Sequence, residues 1–275
     1  MVERAAPHVV VVAYGDPGHL RRCLDGLAAP LGAVMVVDNG LSSVAEELCR
    51  ARSVTYRQPP RNLGFSGGVN LGLRHRTGRD VLLLNPDAVL PWADVLQLQQ
   101  VMHDQGHCAA VAPRLARLDG SAEPSSWPVP SPRGVWADAL GVGRLVHSPR
   151  FLTGAVLLLN GQAVGEIGGF DERFFLYAEE SDWQLRALRA GWTVQVVDHV
   201  TAVHLGGATS SSAMVRSEHF HRSARAFARK WYGADGAALM ALGSLAAALR
   251  RSVTGGRIGR AEARATVRTY LRRVA

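Results

Sequence analysis

The chain has 275 residues, 47% of them hydrophobic and 20% charged, enough for one large α/β domain with an appendage and too short for two full enzymes. This composition excludes disordered and collagen-like classes, and no run reaches the roughly 18 apolar residues of a spanning helix. The net charge of +8 is uneven: residues 214–275 carry 13 Lys and Arg against 3 Asp and Glu, so a basic tail follows a slightly acidic body.

In chain order, His8 to Ala13 is a continuous apolar run, the mark of a strand buried on both faces of a parallel sheet. Glu3 and Arg4 lead directly into it, without the apolar core of a signal peptide. A helix over His19–Leu27 follows, then a strand over Ala33–Val37 that ends at Asp38-Asn39-Gly40. Val44–Arg52 reads as helix and Val54–Tyr56 as a short strand. A glycine-rich turn at 64–68 precedes a helix over Asn70–His75. Val81–Leu84 is a fourth strand, closed by Asn85-Pro86-Asp87, and Trp92–Gln105 is helix. Past residue 110 the regularity breaks, and Ser121–Pro132, with four prolines, reads as a loop. Phe151–Leu159 and Thr193–Val197 are strands, Glu179–Arg189 is a helix, and beyond His204 helices are expected at 215–231, 237–251 and 261–274. Alternating strands and helices mean βαβ units and a mainly parallel sheet, with ligand beyond the carboxyl ends of the strands, where Asp38 and Asp87 stand.

Three scattered cysteines, Cys23, Cys49 and Cys108, show neither metal spacing nor an even count, which fits a reducing cytoplasm. Acidic strand ends suit a nucleotide and a hard divalent cation: Asp87 is the natural metal ligand, with His204 as a second. Glu179, Glu180 and Asp182 offer a carboxylate base at the mouth of a helix. Read singly, each has a plain alternative as turn former, helix-dipole partner or structural histidine. A sugar nucleotidyltransferase is set aside, because the first loop is Tyr14-Gly15-Asp16-Pro17 and no lysine precedes Lys230.

The series VVDNG (36–40), RNLGFSGGVNLGL (61–73), LLLNPDAVL (82–90), FLTGAVLLL (151–159) and GGFDERFFLYAEESDWQLRALRAGW (168–192) resembles the inverting family-2 glycosyltransferases of the GT-A fold, in a bacterial rhamnosyltransferase-like subgroup. The resemblance implies a donor that is a nucleotide-diphosphate sugar (deoxythymidine- or uridine-diphosphate), a hydroxyl acceptor, which is a glycan, a lipid-linked saccharide or a natural product, and a divalent metal, Mg2+ or Mn2+. It implies donor contacts at Ala13, Tyr14, Asp38, Arg61, Asn62, Gly67, Asn85 and Asp87, metal on Asp87 with His204, and acceptor contacts at Gly154 and Trp183. Glu179-Glu180 stands at the family's acid pair, which usually reads Glu-Asp, and either Glu180 or Asp182 is the base. An inactive sugar-nucleotide-binding scaffold of the same fold is the alternative.

A catalytic domain is expected over 1–213, with a nucleotide-sugar half to about 110 and an acceptor half over 111–213, followed by a helical extension at 214–275. The tail shows no nucleic-acid motif. Either its helices pack on the protein or on a second copy, or they lie peripherally on an anionic membrane with Arg250, Arg251, Arg257 and Arg260 at the headgroups.

Overall fold

In the computed structural model, which describes residues 5–30, 32–75, 78–205 and 213–254, the chain opens with strand β1 (His8–Ala13), buried at all six residues. Helix α1 (Pro17–Leu27) starts where the Asp16 side chain accepts from Gly18 N, and it buries Leu20, Cys23, Leu24 and Leu27. Then come β2 (Val34–Asp38), α2 (Ser43–Ala51), β3 (Thr55–Arg57), α3 (Gly64–Leu73), β4 (Val81–Leu84), β5 (Ala88–Val89) and α4 (Trp92–Asp104). They are followed by β6 (Cys108–Ala116), β7 (Ala122–Glu123), β8 (Ser126–Pro128), α5 (Pro132–Ala139) and a 3-10 turn (Gly143–Leu145). The described chain closes with β9 (Arg150–Leu152), β10 (Val156–Leu159), α6 (Gly161–Ile167), α7 (Glu179–Arg189), β11 (Thr193–His204) and α8 (Ala213–Thr254).

Nine strands form one sheet in the order β3-β2-β1-β4-β10-β6-β11-β5, with β7 on β6. Strand β10 opposes both β4 and β6, and this double reversal restores direction. Thus β1, β2, β3, β4, β6 and β11 all run the same way, and only β5, β7 and β10 oppose them. The expected α/β sheet is present, and Ala13, Asp38, Leu84, Ala116 and His204 end strands along one rim. The sheet separates two apolar layers. One is built around Leu20, Leu27, Leu98 and Met102 and the other around Val69, Val164 and Trp183.

Several expectations from sequence are corrected. Helix α3 begins at Gly64 rather than after a glycine turn. A Cβ on Gly68 would come within 2.7 Å of Val12, and one on Gly72 within 2.5 Å of Val10, so these glycines let the helix lie close on β1. Strand β6 was hidden by alanines and by Pro113, which lacks a ladder N–H and sits where the pairing with β11 shifts register. The proline-bearing segment 121–132 holds β7 and β8, the stretch 151–159 is two strands, and β11 continues to His204.

The chain divides into two compact units: residues 1–127 with 151–211, and 128–150 with 212–275. Residues 128–150, expected in the acceptor half, pack with the C-terminal helix instead. Trp136 Nε1 donates to Leu239 O at 3.0 Å, Tyr232 Oη donates to Pro130 O at 2.9 Å, and Gly243 is set against Val135 and Trp136. Helix α8 is broken at Gly233 (φ 70°), as the gap between the two expected helices required. By length and composition Val215–Thr254 is apolar enough to cross a membrane, a property that counting uninterrupted apolar residues overlooked. The helix expected at 261–274, with Arg257 and Arg260, lies outside the described residues.

Candidate active site

Strand β2 delivers Asp38 to the rim in a turn that consumes its carboxylate. Oδ1 accepts from Gly40 N at 2.8 Å, and Oδ2 accepts from Ser42 N at 2.7 Å and Tyr56 Oη at 2.8 Å. Burial, helped by this bond to Asp38, pushes the Tyr56 hydroxyl up from its ordinary value. Gly40 lies against Tyr14 and Gly15, so the ends of β1 and β2 make one lip, with Ala13 buried beneath and Tyr14 exposed. Asn39, not singled out from sequence, donates to Gly64 O at 2.8 Å and accepts from Leu63 N at 3.2 Å. It ties the lip to Arg61 and Asn62, both exposed, and Asn62 Oδ1 accepts from Gly64 N at 2.8 Å. Gly67 is instead buried inside α3, against Leu63.

Asp87 arrives by register. Strand β5 pairs with the end of β11 so that Ala88 faces His204, and Leu205 N donates to Asp87 O at 3.0 Å. His204 Nε2 stands 3.5 Å from Asp87 Oδ1, while its Nδ1 is 3.1 Å from Glu123 Oε2. Burial disfavours the charged ring, but the bonds and charges of Asp87 and Glu123 outweigh it and raise His204 above its ordinary value. Asp87 is only 2% exposed, and its Oδ1 meets the His204 ring at 3.5 Å without a well-formed hydrogen bond. Among the described residues no group of three or more His, Cys, Asp or Glu forms a metal cage. A bare, buried carboxylate oxygen beside one imidazole still fits a hard cation whose other positions a diphosphate fills. The imidazole would shed a proton to serve as ligand.

The acid pair stands at the start of α7. The chain enters that helix through Tyr177 (φ 69°) and Ala178 (φ 70°), two successive non-glycine residues in the left-handed region, each costing about 1–3 kcal/mol. Gln184 holds the helix in place by bonding both backbone groups of Leu152, at 2.7 and 2.8 Å. Glu179 Oε2 and Glu180 Oε2 are buried without hydrogen-bond partners. Burial pushes Glu180 up to about 7, and burial together with the adjacent Glu180 charge holds Glu179 well above the usual carboxylate range. Gly154 lies against Glu180, where an added Cβ would be 3.7 Å from that of the glutamate. The next residue, Ala155, accepts from Asn85 N at 2.9 Å. The acid pair and the Asn85–Asp87 turn are thereby linked through two residues.

Two expected site residues point elsewhere. Asp182 is fully buried and paired with Arg186 Nε at 3.1 Å, whose other nitrogens donate to Ile167 O and Gly169 O, so it anchors the helix and is not free to take a proton. Trp183 is a core residue: it is 0% exposed, its Nε1 donates to Gly168 O at 2.9 Å, and it stacks on Phe170. Glu123 was not singled out from sequence. The motifs at 61–73 and 168–176 form one clamp: Phe65 N donates to Phe175 O at 2.7 Å, Ser66 Oγ to Phe174 O at 2.6 Å, and Asn70 Nδ2 to Phe170 O at 2.8 Å.

The family model described as "Glycosyltransferase like family 2" matches residues 6–230. The chain is 30% identical over 234 aligned residues to the N-acetylglucosaminyl-diphospho-decaprenol L-rhamnosyltransferase of Mycobacterium tuberculosis, covering 71% of this chain and 75% of that one. It is 31% identical over 198 residues to the galactofuranosyltransferase GlfT1 of the same organism, covering 66% and 64%. Among solved structures, the mannosyltransferase PcManGT from Pyrobaculum calidifontis, in complex with GDP-Man and Mn2+, has a TM-score of 0.59 at 17% identity over 98% of this chain and 81% of that one. S. aureus TarS 1-349 in complex with UDP-GlcNAc has a TM-score of 0.54 at 16% identity, over 91% and 73%. At such identities the likeness is one of fold, and that fold is GT-A.

Proposed function

The chain belongs to glycosyltransferase family 2, and from that premise we propose that it moves rhamnose or another deoxysugar from a nucleotide diphosphate to a hydroxyl of a lipid-linked saccharide, with inversion. One observation carries the reading: buried carboxylate oxygens of Glu179 and Glu180 have no hydrogen-bond partner, and that of Asp87 faces the His204 ring at 3.5 Å, all within one linked segment of the rim. Buried charge without a partner is costly, so such oxygens mark places meant for a ligand or a proton.

Glu180, pushed up to about 7 by burial, takes the proton from the acceptor hydroxyl. Burial and the adjacent Glu180 charge hold Glu179 well above the usual carboxylate range, which disfavours a second full negative charge alongside. Asp87 and His204 would hold Mg2+ or Mn2+, which when bound neutralises charge on the departing diphosphate. Asp38 spends three of its roughly four acceptor sites on Gly40, Ser42 and Tyr56, and the remaining one is open to the nucleoside. Gly154 leaves room for the acceptor in front of Glu180. The free, buried Cys23, Cys49 and Cys108 accord with action at the cytoplasmic face of the membrane.

The test is a screen of deoxythymidine- and uridine-diphosphate sugars for donor hydrolysis with Mn2+ or Mg2+, followed by NMR of the product anomer. Cation-dependent turnover of deoxythymidine-diphosphate rhamnose with an inverted product is expected. Full turnover in excess chelator would sink the metal, and retained configuration would sink the base.

A further inference from the structure

The C-terminal unit carries an exposed apolar surface that sugar transfer does not use. On α8 beyond Gly233, Leu239, Leu242, Leu249 and Val253 are exposed, Val253 to 81%. Steps of 3, 7 and 4 residues put them on one stripe of the helix. Met240, Gly243, Ala247 and Ala248 of the same helix are buried. A second exposed group follows α5: Leu140, Val142 and Leu145, the last at 76%.

Arg250 joins the two groups. It follows Leu249, stands one turn from Val253, and brings its guanidinium within 3.5 Å of where a Cβ on Gly141 would be. Arg251 takes the Asp138 carboxylate at 2.7 Å, which leaves Arg250 3.7 Å from it, with its Nε buried and unbonded. Arg250 and Arg144 line one hollow with Asp138, Gly141 and Gly143. No acidic residue occurs from Gly236 to Thr254, and residues 255–275 add six arginines against one glutamate.

We propose that this face docks on an anionic lipid bilayer, with Leu140, Val142, Leu145, Leu249 and Val253 entering the headgroup boundary and Arg250 and Arg144 taking a lipid phosphate in the hollow between them. A seam for a second copy of the helix would carry flanking charges of both signs along the helix, whereas from Gly236 to Thr254 the helix carries Arg250 and Arg251 and no acid. Such a seam would also leave the loop leucines uncovered. Crossing the bilayer is disfavoured, because α8 is committed along one side to α5 through Trp136 and Gly243. The tail expectation is sharpened accordingly: Arg251 is held by Asp138 and is not a headgroup ligand, and the insertion at 128–150 shares the surface.

The test floats the intact protein with vesicles of phosphatidylglycerol and phosphatidylcholine, and with phosphatidylcholine alone. We expect co-flotation with the anionic vesicles only, released by high salt. The double variant Leu140→Ser/Leu145→Ser should abolish it, and Arg250→Gln should weaken it about fivefold, the worth of one arginine at an anionic surface. Donor hydrolysis without vesicles should be unchanged in these variants, so docking and sugar transfer fail separately. Three results would overturn docking: no binding to anionic vesicles, wild-type binding by the double variant, or a solution dimer that Leu239→Ser/Leu242→Ser dissociates. Binding that survives high salt and alkaline extraction would show a spanning helix instead.

Discussion

Asp38 ends β2 and Asp87 follows β4, strands on either side of β1, yet the first accepts three hydrogen bonds and the second keeps a buried oxygen that accepts none. Three protein donors close on the Asp38 carboxylate, while the buried Oδ1 of Asp87 meets the His204 ring at 3.5 Å. A carboxylate that accepts three bonds stabilises its surroundings, whereas a buried one short of donors raises the energy of the free protein and gains most when a ligand arrives. Position at a strand end therefore does not separate scaffold from site, but the count of donors does.

Exchanging the two aspartates for alanine gives the sharpest contrast. Asp87→Ala should lower donor hydrolysis about 10³-fold, the scale of several kcal/mol of lost electrostatic stabilisation, with an unchanged or higher melting temperature. Asp38→Ala should cost about 3 kcal/mol in chemical denaturation, because Gly40 N, Ser42 N and Tyr56 Oη lose their acceptor. A stable, active Asp38→Ala protein would break the comparison.

Glu180→Gln should cut turnover about 10²-fold. Burial raises this acid, so a base role for it would set in only as pH climbs: the wild-type rate should rise through a midpoint of about 7 belonging to the pair, and the variant's should not. A smaller effect is expected at Glu123, which fixes His204 from behind. Glu123→Ala should weaken Mn2+ binding in the presence of nucleoside diphosphate about 10- to 100-fold by calorimetry. Smallest is Tyr56→Phe, about 1 kcal/mol of stability with Mn2+ affinity unmoved.

The legible part of the molecule was its buried periodicity. Continuous apolar runs marked β1 and β4, and the boundaries of α7 were read directly as Glu179 and Arg189. Asp87 and Glu180 could be picked out because sequence places them at a strand end and a helix start. Asp182 and Trp183 were misread because each residue of a helix turns about 100° from the last, so two or three positions past the acid pair the side chains face the core. Glu123 was invisible: it meets a histidine 81 residues away only because β7 folds back on β6 while β11 runs beside it. Asn39 looked like one more turn residue, since its partners at 63–64 belong to a helix whose start was placed too late.

The placing of β11 between β6 and β5 has a consequence for how the protein comes into being. Among the described residues β5 pairs with no strand but β11, so it lacks that partner until the chain has been made as far as residue 204. A nascent chain that has finished the β3-β2-β1-β4 half has its first lip, but Asp87 has neither of the groups that His204 and Leu205 bring to it. Contacts of such long sequence separation form slowly and late. Synthesis halted before residue 193 thus leaves Asp87 without the imidazole and the backbone donor that the end of β11 brings.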